Sequence, residues 1–162
     1  SNFTTNRMLI DYEERFYDKL AARKRKLSAD SCLLAREIAA WKRKVSAAWD
    51  QVRAVDVERV KIDKEAVCVG EKYRFSVTVD IANLRPEDIG VEMVIARQIV
   101  GGQGVNVVRT IRLERTRTDN NLVTYALDYT PDETGTFDVA LRIYPCNPHL
   151  PHRMDFALVK WA

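Results

Sequence analysis

The spacing of apolar residues divides the chain into a helical first third and a strand-rich remainder. Near the start, apolar residues recur at steps of three and four, which places them on one side of a helix. This first stripe consists of Met8, Leu9, Tyr12, Phe16 and Leu20. A second stripe follows the break at 27–30 and consists of Leu34, Ile38, Trp41, Val45 and Trp49. The pattern predicts an αα-hairpin whose apolar stripes need a further surface to cover them.

From about Val52 the apolar period changes to two. Tyr73 to Ile81 alternates apolar and polar residues, which is typical of a strand with one buried face. Similar alternation is present at 91–95, 123–129 and 137–143, and residues 156–161 close the chain as a further predicted strand. Turn signals separate these runs at 69–71, 85–88, 101–102, 119–121 and 130–135.

Seven or eight short strands with regular turns indicate an antiparallel sandwich. The stretch from Tyr129 to Gly135 is similar to the corner between the sheets of immunoglobulin-like domains. We therefore expect an α+β chain, with a helical hairpin over residues 1–52 and an immunoglobulin-like β-sandwich over 53–162.

Composition narrows the class of protein. A hydrophobic fraction of 46% is ordinary for a globular chain, and a formal charge of +3 is too small to indicate a polyanionic partner. The apolar runs are too short to span a membrane, and no signal segment opens the chain. Cys32, Cys68 and Cys146 are three cysteines without redox spacing, so a cytoplasmic location with reduced thiols is predicted.

Catalytic and metal-binding groups are sparse. Cys146, His149 and His152 offer three ligands for zinc in a proline-rich loop, but a structural zinc site needs four, and a catalytic site needs rigid support. No carboxylate pair or oriented cysteine–histidine pair can be nominated. We predict no catalytic residue, no cofactor-binding residue and no metal site in this segment.

Two further motifs are assigned ordinary roles. Gly101 to Gly104 lies between predicted strands, whereas a phosphate-binding glycine loop must lead into a helix, so a hairpin loop is expected. The basic runs Arg23–Lys26 and Lys42–Lys44 occur in the C-terminal halves of predicted helices, where cations complement the helix dipole. We expect neither a nucleic-acid partner nor a membrane partner.

Three aromatic residues are alternative contacts for a sugar. Tyr73, Tyr144 and Trp161 would serve a glucan if their rings are exposed, although packing in the core or at a sheet edge is the ordinary role of such residues. Trp41 and Trp49 lie on the apolar helical stripe, where packing is expected.

Residues 144–161, called the closing segment below, resemble the end of bacterial α-glucan phosphorylases. The resemblance rests on Asn-Pro-x-Leu-Pro-His-Arg-x-Asp-Phe at 147–156 and on Leu-Val-x-Trp at 158–161. A second match is Trp-Lys-Arg-Lys-Val at 41–45 followed by Trp-Asp-Gln-Val at 49–52, and a weaker one covers 7–17. The matches occur in the family's order, whereas residues 58–125 resemble it only in pattern.

The resemblance implies a parent enzyme that carries pyridoxal phosphate and splits α-1,4-glucans with phosphate to give glucose 1-phosphate. The family's cofactor, phosphate and sugar residues lie upstream, so none is carried over and this segment alone is expected to be inactive. The upstream catalytic lobes would be its partner, with α-glucan as a further candidate. Arg153 and Asp155 lie two apart on the predicted last strand and are expected to anchor the proline-rich loop by an ion pair.

Three interpretations therefore stand side by side. The first is a non-catalytic C-terminal region of a phosphorylase with a role in domain packing. The second is a glucan-binding sandwich, and the third is a free-standing adaptor that binds proteins through its hairpin. The residues expected at structural or interface positions are Trp41, Trp49, His152, Arg153, Asp155 and Trp161.

Overall fold

The computed structural model describes residues 18–60, 69–98, 104–133 and 137–162. The chain divides into two compact units, residues 1–43 and 44–162. The boundary predicted at 52/53 lies inside the second unit. No helix among the described residues has the length and apolar character needed to cross a bilayer.

Helix α1 spans Asp18–Ala48. Residues 27–30, where the sequence predicts a connection, are helical, and the departure from helical geometry comes at Cys32, whose φ is 63°. A left-handed residue is unusual in a right-handed helix, so Cys32 marks a local irregularity within α1. Most of the first predicted helix lies outside the described residues, and the hairpin therefore stays a prediction.

The end of α1 passes into the strands through a 3-10 turn at Trp49–Gln51. Val45, Trp49 and Val52 are buried there, which agrees with the second apolar stripe of the sequence. The N–H of Val52 donates to the carbonyl of Trp49, which closes the turn before the first strand begins.

Eight strands follow among the described residues, and they form two antiparallel sheets. The strands are β1 (Arg53–Val60), β2 (Tyr73–Asp80), β3 (Ile89–Gln98), β4 (Val105–Arg112), β5 (Glu114–Asp119), β6 (Leu122–Tyr129), β7 (Asp138–Pro145) and β8 (Lys160–Trp161). The first sheet has the order β1-β2-β6-β5, and the second sheet has the order β4-β3-β7-β8. The α+β class is confirmed, whereas the immunoglobulin-like character of the sandwich stays a prediction.

Alternating side chains of both sheets build the core. In β2, Tyr73, Phe75, Val77 and Val79 are buried while the residues between them are more exposed. Val91 and Met93 of β3 and Leu141 and Ile143 of β7 are also buried. The hydroxyl of Tyr125 on β6 donates to the carbonyl of Ile89 on β3 at 3.3 Å, which links the first sheet to the second.

The turns show where special backbone geometry is needed. Asn120 and Asn121 join β5 to β6, and Asn120 has a φ of 53°, which asparagine tolerates better than most residues. Gly70 precedes β2 with a φ of 83°. The segment predicted as a turn at 85–88 forms a 3-10 turn at Pro86–Asp88 that leads into β3.

The closing segment differs from the predicted strand. Only Lys160 and Trp161 pair with β7, whereas Arg153–Phe156 forms a 3-10 turn. Residues 145–151 contain three prolines, which lack an N–H to donate to a sheet, so the chain crosses as a loop before it rejoins the edge.

Candidate functional site

A row of charged and aromatic side chains crosses one face of the second sheet. The strand register places Glu92 opposite Arg112 on one side and opposite Arg142 on the other, and Arg142 lies opposite Trp161. Directly opposed residues of antiparallel strands share a face of the sheet. These four residues, Arg112, Glu92, Arg142 and Trp161, therefore form one line across all four strands. Glu92, Arg112, Arg142 and Arg153 are called the Glu92 cluster below.

Glu92 is a buried carboxylate held by two arginines. It is 2% exposed, and its Oε1 accepts a hydrogen bond of 2.6 Å from Nε of Arg142. Arg153, from the 3-10 turn of the closing segment, donates to the same oxygen. A buried charge without partners is strongly unfavourable, so this contact joins the closing segment to the middle of β3.

Aromatic rings flank both arginines. The guanidinium carbon of Arg142 lies 5.6 Å from the centroid of the Trp161 ring, and that of Arg153 lies 5.2 Å from the centroid of Tyr144. These distances are within the range of cation–π attraction. Burial raises the pKa of the Tyr144 hydroxyl above its ordinary value, while the positive charges of Arg112 and Arg153 act in the opposite direction.

The closing segment has two further anchors at its ends. The N–H of Cys146 donates to the carbonyl of Asp88 at 2.8 Å. Near the other end, Nζ of Lys160 donates to the carbonyls of Asp50 and Val52 at 3.0 and 2.7 Å. Because these carbonyls follow α1, Lys160 joins the last strand to the turn between α1 and β1.

Asp88 forms a second buried carboxylate site beside the start of β3. It is 2% exposed and accepts hydrogen bonds from the backbone N–H of Arg85 at 3.0 Å and from the guanidinium of Arg85 at 3.1 Å. Nζ of Lys44 lies 3.8 Å from its Oδ2. The side chain therefore closes the 3-10 turn while its carbonyl holds the closing segment.

The predicted structural residues occupy different environments. Trp41 and Trp49 are buried, at 8% and 7% exposure. His152 and Asp155 are exposed. The placement of Arg153 on the last strand was wrong because that residue belongs to a 3-10 turn, and its carboxylate partner shown here is Glu92.

The three aromatic residues nominated for a sugar also differ. Tyr73 is 4% exposed and donates its hydroxyl to Glu71, so its ring is not accessible for stacking. Tyr144 is half-buried between Gly90 and Arg153. Trp161 is 59% exposed, which leaves it as the accessible ring of the three.

The loop between β7 and the 3-10 turn at Arg153–Phe156 shows no cluster of metal ligands among the described residues. Among the described residues, which include Cys146, His149 and His152, no three potential ligands are grouped so that they could hold a metal ion. The Asn147 side chain instead accepts the N–H of His149 at 2.9 Å, which is a local turn contact.

Sequence reasoning missed Glu92, Arg112 and Arg142. Glu92 interrupts an otherwise apolar stretch from Ile89 to Ala96 that is buried throughout, and Arg142 stands between Leu141 and Ile143. A charged residue inside a fully apolar strand was the available signal, because such a residue needs an opposite charge when both faces of the strand are covered.

Comparison with known proteins identifies relatives over nearly the whole chain. Residues 49–162 match the family model described as the glycogen phosphorylase C-terminal domain. The chain is 31% identical over 163 residues to maltodextrin phosphorylase of Thermococcus litoralis, with 98% of the chain and 18% of the relative covered. It is 27% identical over 158 residues to glycogen phosphorylases of Mycobacterium tuberculosis and Mycobacterium bovis, with 97% of the chain and 18% of each relative covered. The chain thus spans less than a fifth of the length of these relatives.

Proposed function

The chain belongs to the glycogen phosphorylase C-terminal domain family, and on that premise we propose that it is the non-catalytic C-terminal region of an α-glucan phosphorylase. The reaction proposed for the longer enzyme is phosphorolysis of α-1,4-glucan to glucose 1-phosphate, in the cytoplasm. Because the chain corresponds to 18% of the length of its relatives, we assign this reaction to the longer enzyme and not to this segment.

The contacts of the closing segment support the proposal of a structural role. This segment contains the sequence motifs that resemble the phosphorylases, and its polar groups contact the rest of the second unit. Arg153 reaches Glu92, Lys160 reaches the end of the 3-10 turn at Trp49–Gln51, and the Cys146 N–H reaches Asp88. We infer that these side chains hold a rigid domain in a defined shape, which suits domain packing better than chemistry.

The upstream catalytic lobes are the proposed partner. Apolar side chains remain exposed on α1, where Leu20 and Leu33 are 61% and 53% exposed. On the edge strand β4, Val105 and Val107 are 56% and 50% exposed. Exposed valines on an edge strand favour contact with another protein surface.

Pyridoxal phosphate is proposed for the longer enzyme, and neither Lys160 of β8 nor Lys44 of α1 fits the role of its lysine. The cofactor needs a lysine amine free to form an imine. Nζ of Lys160 donates to two backbone carbonyls, and Nζ of Lys44 lies beside Asp88, so both act as cations in structural contacts. No step of the reaction is therefore assigned to these residues.

Capture of the native protein tests the leading proposal. An antibody raised against this chain would be used to isolate the protein from source cells, and phosphate-dependent release of glucose 1-phosphate from glycogen would be measured. We expect activity in the captured material and none in the 162-residue chain alone. Efficient capture of a protein without this activity, or activity of the chain alone, would contradict the proposal.

A glucan-binding role is the second candidate, and the exposure of Trp161 favours it. Sugar rings stack on exposed aromatic faces, and Trp161 is 59% exposed at the sheet edge. In a native gel that contains glycogen, a binding role predicts retarded migration of the chain and loss of the retardation in Trp161→Ala. Val159→Ala is the matched control, since Val159 is 42% exposed on the same segment. Unretarded migration of the parent chain rejects this candidate.

A further inference from the structure

Two arginines contact one buried carboxylate on the second sheet, and a third arginine lies opposite that carboxylate on the neighbouring strand. Arg142 and Arg153 both contact Oε1 of Glu92, and Arg112 lies opposite Glu92 on the neighbouring strand. Counting these four side chains alone, three positive charges face one negative charge. The cluster therefore has spare N–H donors and an excess of positive charge.

Arg112 directs its guanidinium toward the start of the closing segment. Its Nη2 donates to the sulfur of Cys146 at 3.5 Å, and Cys146 lies two residues after Tyr144. The positive charges of Arg112 and Arg153 both act on the Tyr144 hydroxyl. Arg153 lies over the Tyr144 ring at 5.2 Å, and Arg112 comes from the neighbouring strand β4.

The surroundings hold the guanidinium groups in position. Glu92 fixes Arg142 and Arg153, whose side chains are 22% and 37% exposed, so each retains access to solvent. Trp161 and Tyr144 contact these same two arginines through their rings. Planar guanidinium groups held by a carboxylate and by aromatic rings are well suited to bind the oxygens of a phosphate.

We propose that Arg112, Arg142 and Arg153 form a binding site for a phosphate group, either free phosphate or the phosphate of a sugar ester whose ring stacks on Trp161. The excess positive charge matches a phosphate dianion, and the exposed indole lies beside Arg142 in the same row. Glu92 is the positioning residue of this site. The proposal concerns binding by this chain and does not depend on the reaction of the longer enzyme.

Calorimetric titration of the 162-residue chain tests the site, with inorganic phosphate, glucose 1-phosphate and neutral glucose as probes at constant ionic strength. We expect both phosphates to bind and glucose not to bind. Arg112→Gln should weaken binding about tenfold or more, the usual effect of one lost charge-assisted hydrogen bond. In the part of the chain that the structure describes, no ion pair joins Arg112 to a carboxylate, so this variant keeps the contacts of Glu92 with Arg142 and Arg153 intact.

Arg117→Gln is the matched control, because Arg117 is an exposed arginine on β5 of the first sheet. Unchanged binding in this variant, together with the loss in Arg112→Gln, supports the site. Absence of binding at millimolar phosphate, or equal weakening in the two variants, overturns it. Tighter binding of glucose 1-phosphate that is lost in Trp161→Ala identifies a sugar phosphate as the ligand, whereas equal affinities identify phosphate itself.

Discussion

The ring of Tyr144 packs directly on Gly90, its partner across the β3–β7 pair. A Cβ atom at position 90 would lie 2.6 Å from Cζ of Tyr144. On the sheet face, Arg153 lies over the same ring at 5.2 Å. The absence of a side chain at Gly90 thus lets the ring lie against the strand, where it contacts the arginine that holds the closing segment.

Replacement of this glycine should strain the sheet. We expect Gly90→Ala to lower the free energy of unfolding by about 1–3 kcal/mol, because the added methyl group displaces a ring that Arg153 also contacts. Denaturant melts of Gly90→Ala, Tyr144→Ala and the double variant would measure this loss of unfolding free energy. If the Tyr144 ring is the obstacle, Gly90→Ala lowers the unfolding free energy less in the Tyr144→Ala background than in the parent chain. An equal loss in both backgrounds contradicts the explanation.

Loss of the Glu92 charge should be more damaging. Glu92→Gln keeps the shape of the side chain but leaves Arg142 and Arg153 without their shared carboxylate. We expect a loss of about 3–5 kcal/mol in the free energy of unfolding, as found when one member of a buried ion pair is removed.

Glu114→Gln is the control for this variant, since Glu114 is an exposed glutamate at the start of β5. Its effect should stay within about 0.5 kcal/mol. Denaturant melts that show similar small losses for both variants would mean that Glu92 contributes no more than a surface charge.

Trp41 tests the packing of the second apolar stripe of the sequence. The residue is 8% exposed, and Trp41→Ala should cost about 3–5 kcal/mol, as large core truncations do. Leu33→Ala, at a position that is 53% exposed, is the control and should cost little. A loss of less than about 1 kcal/mol for Trp41→Ala in denaturant melts would contradict a core role.

Alkaline pH should weaken the link between the two sheets. Burial raises the pKa of Tyr125 from 10.0 to about 12. The neutral phenol is favoured in the folded state, so its stabilisation is fully present below pH 10 and is lost as the pH rises toward 12. Between pH 10 and pH 12 the unfolding free energy of the parent chain should fall by about 2 kcal/mol more than that of Tyr125→Phe.

Denaturant melts of both chains between these pH values provide the measurement. The change of pH acts on the rest of both chains alike, so the difference between the two isolates Tyr125. Parallel curves across the alkaline range would show that the hydroxyl ionises equally easily in the folded and unfolded chains.

The local pattern of the sequence was sufficient for many elements of the fold. The strands predicted from alternation at 73–81, 91–95, 123–129 and 137–143 overlap β2, β3, β6 and β7. Trp49 of the helical stripe is buried as expected. Alternation is a property of neighbouring residues, so it can be read without knowledge of what lies across the sheet.

The closing segment was harder to predict, for a reason that its residues make clear. Phe156 to Trp161 has the apolar character of a strand, but residues up to Phe156 form a 3-10 turn and only Lys160 and Trp161 pair with β7. Its contacts are made by Arg153 and Lys160 with residues far away in the chain. The spacing of Arg153 and Asp155 suggested a local ion pair, whereas the carboxylate that holds Arg153 belongs to β3.

The sequence by itself determined the α+β class, the alternation of four of the eight described strands and the phosphorylase resemblance, because each is recorded in adjacent residues or in short motifs. The tertiary structure decided which charges meet. Arg142 and Arg153 lie 50 and 61 residues from Glu92 along the chain, and they reach one oxygen because the register of β3 and β7 and the return of the closing segment bring them there. Such pairing depends on the whole sheet, so no local pattern records it.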